Sequence, residues 1–255
     1  ILKFINSPMS GTGRSISSLD EAVNRIGLRG VQLMALSFSL VSSGKAGGCP
    51  SFDFKRFWSR SLACAVASKM FARYCGSVDP NEAFIIGLLS RIGQMAMACV
   101  LPSQYEAVLH TAAARPNEIL AIERDQLGAT HVETSVRLLQ DWKLPEAVWE
   151  TLANSLEVMP HHEPDSPVTA PQVLYAADVT ATLLRDSKAE RSTKVNEIVT
   201  LGQEVFGIAP KDWPILYEQI VDEWTAYGKL LAVEAGTDKS FRDLQDEARD
   251  QIDAL

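Results

Sequence analysis

Residues Ala83–Gly93 read Ala-Phe-Ile-Ile-Gly-Leu-Leu-Ser-Arg-Ile-Gly. They sit inside a long apolar run whose start carries helix signals. Asp79 is placed to cap the N-terminus, Pro80 fits the first helical position, and Glu82 lies where a capping box wants an acid. The run is read as one helix over Asp79–Leu101, stopped by Pro102. Apolar residues crowd both sides of Ser90-Arg91, which places this segment at the centre of the core. A guanidinium is costly to bury unless it is paired. Arg91 therefore either meets an acid or reaches water along its stem.

The flanking chain continues the helical pattern. Asp53 caps a helix that Gly76 ends. Helices are expected over Ser103–Ala114, Asn117–Leu127, from Thr130 (with Glu133 closing a capping box), from Pro145 to about Leu156, and over Val173–Leu184. Upstream, Ile1–Ile5 reads as a helix end, and Ser18 caps a helix closed by Gly27. A second helix runs from about Arg29 to Leu40, and Ser42–Pro50 reads as a mobile Gly/Ser linker. Downstream, helices are expected over Thr193–Phe206, Trp213–Val233 and Phe241–Ala254. The middle one carries Ile220, Trp224, Tyr227, Leu230 and Leu231 on one stripe, and the last reads as a charged connector. No convincing two-residue alternation occurs, so the fold class is all-α.

The totals narrow the function classes. At 255 residues the chain holds one large domain or two small ones, and 46% hydrophobic with 22% charged residues suits a globular protein. A net charge of −8 argues against a nucleic-acid platform. Cys49, Cys64, Cys75 and Cys99 form no CxxC pair; three of them, Cys64, Cys75 and Cys99, lie in apolar helical runs, so buried thiols in a reducing cytoplasm are expected. No run is read as long enough to span a membrane, and no signal peptide is seen. The chain opens at Ile1 without Met, which reads as part of something longer. The five tryptophans lie on helical segments and are expected to anchor the core. There is no GxSxG elbow, P-loop or GxGxxG before a helix. Gly11-Thr12-Gly13-Arg14 is read as a loop rather than an anion cradle.

Several stretches carry a family resemblance. Gly87-Leu88-Leu89-Ser90-Arg91-Ile92-Gly93 resembles the Gly-Leu-Leu-His-Asp-Ile-Gly signature of HD-type metal phosphohydrolases, with Ser90 and Arg91 in the His and Asp places. Phe4-Ile5-Asn6-Ser7, Ile16-Ser17-Ser18-Leu19 and Ala22 through Ile26-Gly27-Leu28 resemble ordered elements of the HDOD family, the HD-related output domain of bacterial signalling proteins. Phe57-Trp58-Ser59-Arg60-Ser61-Leu62 is similar to its Phe-Trp-x-His-Ser-Leu. His131, Leu138-Leu139 and Trp142-Lys143-Leu144-Pro145 resemble a further block, with Ser135 where the family has Gly. His161-His162-Glu163-Pro164 resembles His-His-x-Pro, and Ala177-Asp178 resembles the element supplying the last metal ligand. The resemblance covers about residues 1–185. It implies an HD-like helical domain over 1–186; beyond the resemblance, the helical pattern of 187–255 reads as an extension that either docks on that domain or leads away.

The same resemblance implies what is missing. Of four ligand positions, the first His is Arg60, the second His is Ser90, the Asp is Arg91, and only Asp178 keeps a ligand type. Arginine has no lone pair to give a metal. Two unit charges at ~4 Å interact by roughly 4 kcal/mol at an effective dielectric of about 20, so guanidiniums there oppose a divalent ion. Either Arg60 or Arg91 replaces the ion as the countercharge of Asp178, or both snorkel to water. His131, His161, His162 and Glu163 form a second candidate polar cluster. Related HD-GYP phosphodiesterases use a His-His-Glu element for metal, whereas flanking prolines here suggest a loop.

The leading expectation is a non-catalytic signalling module, without cofactor or metal. It would act through protein partners or an adjacent receiver or GGDEF-type domain, with self-association open and neither nucleic acid nor membrane as partner. Two alternatives stand: a divergent phosphohydrolase using His161, His162, Glu163 and Asp178, and a sensor of an anionic nucleotide in the vestigial cleft.

Overall fold

The computed structural model describes residues 49–115, 118–155, 160–163, 165–185, 188–237 and 239–253. The expected helices, loop and family motifs within residues 1–48 lie outside the described residues. Among the described residues the regular structure is helical, with no strand.

Helix α1, Phe54–Cys75, is the axis of the fold. The Asp53 carboxylate accepts from the Lys55 and Arg56 amides at 2.9 Å each, and Gly76 closes the other end at φ 69°. Leu62, Ala63, Cys64, Ala65, Val66 and Ala67 are consecutive and all buried. A helix apolar all round has to run through a core, with neighbours on every side. Helix α2, Pro80–Leu89, packs on it most closely at Gly87, where a Cβ would fall 2.8 Å from the Ala65 Cα and 2.6 Å from the Ser68 hydroxyl.

The expected single helix over Asp79–Leu101 is two. Helix α2 stops at Leu89, Arg91 takes φ −112° and ψ 19°, and α3 restarts at Ile92 and runs to Val100. A continuous helix would hold the guanidinium among buried isoleucines and leucines; the break aims it at an acid instead. The freed groups are satisfied locally: the Ser90 hydroxyl donates to the Gly87 carbonyl (2.8 Å), and the Gly93 amide donates to the Ser135 hydroxyl (2.8 Å). The stretch Pro80–Val100 is, by length and composition, long and apolar enough to cross a membrane, which corrects the sequence expectation. It is broken at Arg91 and mostly buried within this protein.

Helices α4 (Pro102–Ala112) and α5 (Ile119–Leu127) cover a satellite apolar cluster that includes Cys49, Met97, Tyr105, Val108 and Ile122. Helix α6, His131–Asp141, opens on a complete Thr130/Glu133 capping box, and α7 spans Glu146–Ala153. Cys49, expected in a mobile linker, is buried, its thiol donating to Glu106. Cys64 is buried and Cys75 half-buried, but Cys99 is exposed, which corrects the expectation for that thiol.

Helix α8, Ala170–Arg185, packs on α1, and α9, Lys188–Phe206, packs on α8. After a 3-10 turn at Pro210–Asp212, α10 spans Trp213–Leu231 and α11 spans Phe241–Asp253. Trp213, Tyr217, Ile220, Trp224 and Tyr227 enter the same core as α1, α2 and α8. The Trp224 indole donates to the Ser59 carbonyl at 3.1 Å, and the buried Lys69 ammonium donates to the Tyr227 hydroxyl at 2.6 Å. Leu230, expected on the buried stripe, is partly exposed. Helix α11, expected as a connector, buries Phe241, Leu244 and Ala248, with Phe241 stacked 5.8 Å from Trp213. Residues on both sides of position 186 thus share one apolar core.

Candidate functional site

Three elements converge where α1, the α2–α3 break and α8 meet. Asp178 projects from α8. Arg60, on α1, donates from Nη1 to Asp178 Oδ1 at 2.9 Å and from Nη2 to the Thr182 hydroxyl at 3.0 Å. Arg91 donates from Nε to Oδ1 at 3.0 Å and from Nη2 to Oδ2 at 2.8 Å, the two-pronged geometry that fits a guanidinium to a carboxylate. The helical break lets Arg91 present this edge, and Thr182 lies one turn beyond Asp178 on α8. Burial opposes ionisation of Asp178, but the two guanidiniums outweigh it and hold the carboxyl far below the usual carboxylate range.

A second layer stands behind Arg91. Its Nη1 lies 3.3 Å from Nε2 of His131, the first residue of α6. His131 is buried, and its Nδ1 lies 2.8 Å from Oε2 of Glu123. The fully buried Glu123, at the middle of α5, also accepts from the His131 amide (2.7 Å) and the Tyr105 hydroxyl (2.9 Å). Burial opposes ionisation of Glu123 too, yet these donors keep it below its ordinary range. Burial lowers His131, with Arg91 adding to the effect and Glu123 opposing it. Burial and Glu123 push the Tyr105 phenol far up. The consistent arrangement is an anionic Glu123, a neutral imidazole donating from Nδ1 and accepting at Nε2, and a cationic Arg91. The network then carries two cations, Arg60 and Arg91, and two anions, Asp178 and Glu123.

The structure thus gathers Arg60, Arg91 and Asp178, and adds His131, Glu123, Tyr105 and Thr182. Ser90 does not join them: it is buried, its hydroxyl donating to Gly87 and lying 3.9 Å from the Cys64 thiol on α1. His131, at the first position of α6, is buried, and it is parted from the residues grouped with it by sequence. His161, His162 and Glu163 lie between α7 and α8, His161 and Glu163 exposed; none bonds to the network or borders its cleft. The His161 carbonyl accepts from Gln172 at 2.7 Å, a loop-closing role.

The network forms one wall of a cleft of about 530 Å³, bordered also by Phe52, Phe57, Leu109 and Tyr175. The metal of HD enzymes does not fit here. Two of the expected ligand positions offer only N–H donors, Ser90 is turned away, and both Asp178 oxygens already accept from guanidiniums. Among the described residues no group of three or more His, Cys, Asp and Glu is placed to hold an ion.

Comparison with known proteins agrees with this architecture. The HDOD domain profile matches residues 1–158, more than half of the chain, and ends before Asp178. An uncharacterised protein of Treponema pallidum is 27% identical over 155 residues, which are 60% of this chain and 29% of that protein, so the match spans under a third of that relative. Among solved structures, an HDOD domain protein of unknown function from Geobacter sulfurreducens has a TM-score of 0.63 at 21% identity, covering 90% of this chain and 80% of that one. The MmoQ response regulator of Methylococcus capsulatus has a TM-score of 0.57 at 27% identity, covering 85% and 82%.

Proposed function

The chain belongs to the HDOD family, and from that premise we propose that it is a non-catalytic module of a bacterial signalling system, acting through protein contacts. One observation carries the reading. Asp178, at the position that the resemblance gives to the last metal ligand, has both oxygens bonded by Arg60 and Arg91. A divalent ion needs those electron pairs, and it would also meet two fixed cations. A positive charge that cannot leave or exchange supports the scaffold but activates no water.

A signalling role is supported by the family and by the likeness to a response regulator. The partner on this reading is a receiver or GGDEF-type domain, in the same chain or another, or a second copy. The cytoplasm is the compartment, since four unpaired cysteines suit a reducing setting. Residues 1–186 form the HD-like unit and the helices beyond brace it.

The test is twofold. Purified full chain is assayed for bound Fe, Mn, Mg and Zn and for turnover of a generic phosphodiester, then for partners by co-purification and sedimentation. The proposal expects neither metal nor turnover, and a specific protein complex. Stoichiometric metal with metal-dependent hydrolysis would establish the divergent phosphohydrolase instead. Stabilisation by nucleotides, lost in Arg91→Ala, would establish the sensor reading.

A further inference from the structure

The second layer behind Arg91 is more elaborate than a buried countercharge requires. Arg91 and Asp178 already satisfy each other through two bonds. The remaining link runs Tyr105, Glu123, His131, Arg91, from α4 through the α5–α6 corner to the cleft wall. It works only in one proton arrangement. With Nδ1–H given to Glu123, Nε2 keeps its lone pair for an Arg91 N–H; with Nε2 protonated, two donors face each other at 3.3 Å.

We propose that Glu123 and His131 are positioning residues for Arg91, so that the α5–α6 corner controls how firmly the guanidinium is locked onto Asp178. While the corner is seated, the imidazole holds Nη1 and the guanidinium plane stays in register with the carboxylate. When the corner shifts, or the imidazole takes up a proton, that third support is lost. Arg91 then rests on Asp178 alone, in a network whose two cations, Arg60 and Arg91, and two anions, Asp178 and Glu123, balance only while His131 is neutral. The corner is suited to carry such a movement. His131 stands three residues beyond Gly128, which ends α5 at φ 75°, and its carbonyl packs so tightly on α3 that a Cβ at Gly93 would fall within 2.1 Å of it. The charged and titratable groups facing His131 are Glu123 from α5, Arg91 from the α2–α3 break and Asp178 from α8; Tyr105 of α4 and Arg60 of α1 act through Glu123 and Asp178. The inference does not depend on whether the module is catalytic.

Nuclear magnetic resonance on the full chain, labelled with 15N, tests it through two signals: the tautomer of His131 and the exchange of the Arg91 Nε proton with water. At pH 7.5 the expected state is a neutral His131 with the proton on Nδ1 and a protected Arg91 Nε–H. His131→Phe keeps the ring but offers no acceptor, and it should speed Arg91 Nε–H exchange at least about tenfold while amides of α1 and α8 keep their protection. On acidification of the wild type, the protection of the Arg91 Nε–H, taken relative to the intrinsic base-catalysed rate at each pH, should fall only as His131 takes up its proton, below the ordinary imidazole range. Should His131→Phe fail to fold, the wild-type tautomer and titration decide alone. An Nε2–H tautomer at pH 7.5, or Arg91 protection unaffected by either change, would overturn the proposal.

Discussion

Replacing Asp178 by Asn separates a structural lock from a catalytic ligand. The change keeps shape and removes one negative charge, leaving Arg60 and Arg91 facing a neutral group. Three charge-assisted hydrogen bonds end on the carboxylate. Hydrogen bonds to charged groups contribute about 1.5–3 kcal/mol each, and breaking a buried pair from one side costs about 3–5 kcal/mol. The Arg60, Arg91 and Asp178 side chains are 15%, 20% and 17% exposed, so water recovers part of this. The net expectation is a loss of roughly 2–4 kcal/mol, or a fall in Tm of about 5–15 °C for a chain of this size. Urea unfolding followed by circular dichroism, with calorimetry alongside, measures it. Because the folded carboxyl titrates below its unfolded range, its contribution is complete above the unfolded pKa and fades only as pH falls through the folded one. The wild-type advantage should therefore persist unchanged from pH 8 to about 5. Removal of a catalytic ligand commonly leaves stability unchanged or raised. A loss below about 0.5 kcal/mol, or a gain, would refute the lock.

Further outcomes follow from the packing. Gly87→Ala drives a methyl into Ala65 and Ser68 across the α1–α2 contact, and should cost about 1–3 kcal/mol in the same unfolding assay. Lys69 is buried, which lowers it to about 8, with Glu223 partly opposing. A lysine depressed in the fold binds fewer protons there than in the unfolded chain, so stability should rise with pH between about 8 and 10.5. Lys69→Met should abolish that rise in pH-dependent unfolding curves. Removing residues 188–253 exposes the core faces that meet Trp213, Trp224 and Tyr227, and should leave a chain without cooperative thermal unfolding.

Much of this was legible in the chain because local chemistry and tertiary need agreed. The caps at Asp53, Gly76 and Thr130 fixed helix ends by hydrogen bonds only nearby residues can make. Arg91 in an apolar run demanded an acid, and Asp178 was the carboxylate at a matching family position. What stayed hidden depended on distance. Nothing local interrupts Leu89–Ile92, since every residue there tolerates a helix; the break answers Asp178, 87 positions away. Nothing local marks Glu123, beside Arg124 and Asp125, as a buried acid, and its pairing with His131 arises only once the chain turns at Gly128 and brings the first residue of α6 back beside it. Cys99 read as core because its neighbours are apolar, yet it falls on the outer face of α3.

The most direct test of the central claim is a crystal structure of the full chain soaked in manganese or zinc, with anomalous scattering recorded around Asp178. The account predicts both guanidiniums on the carboxylate and no anomalous peak beside it. An ion bound within about 2.0–2.3 Å of the Asp178 oxygens, with Arg60 and Arg91 displaced, would contradict it.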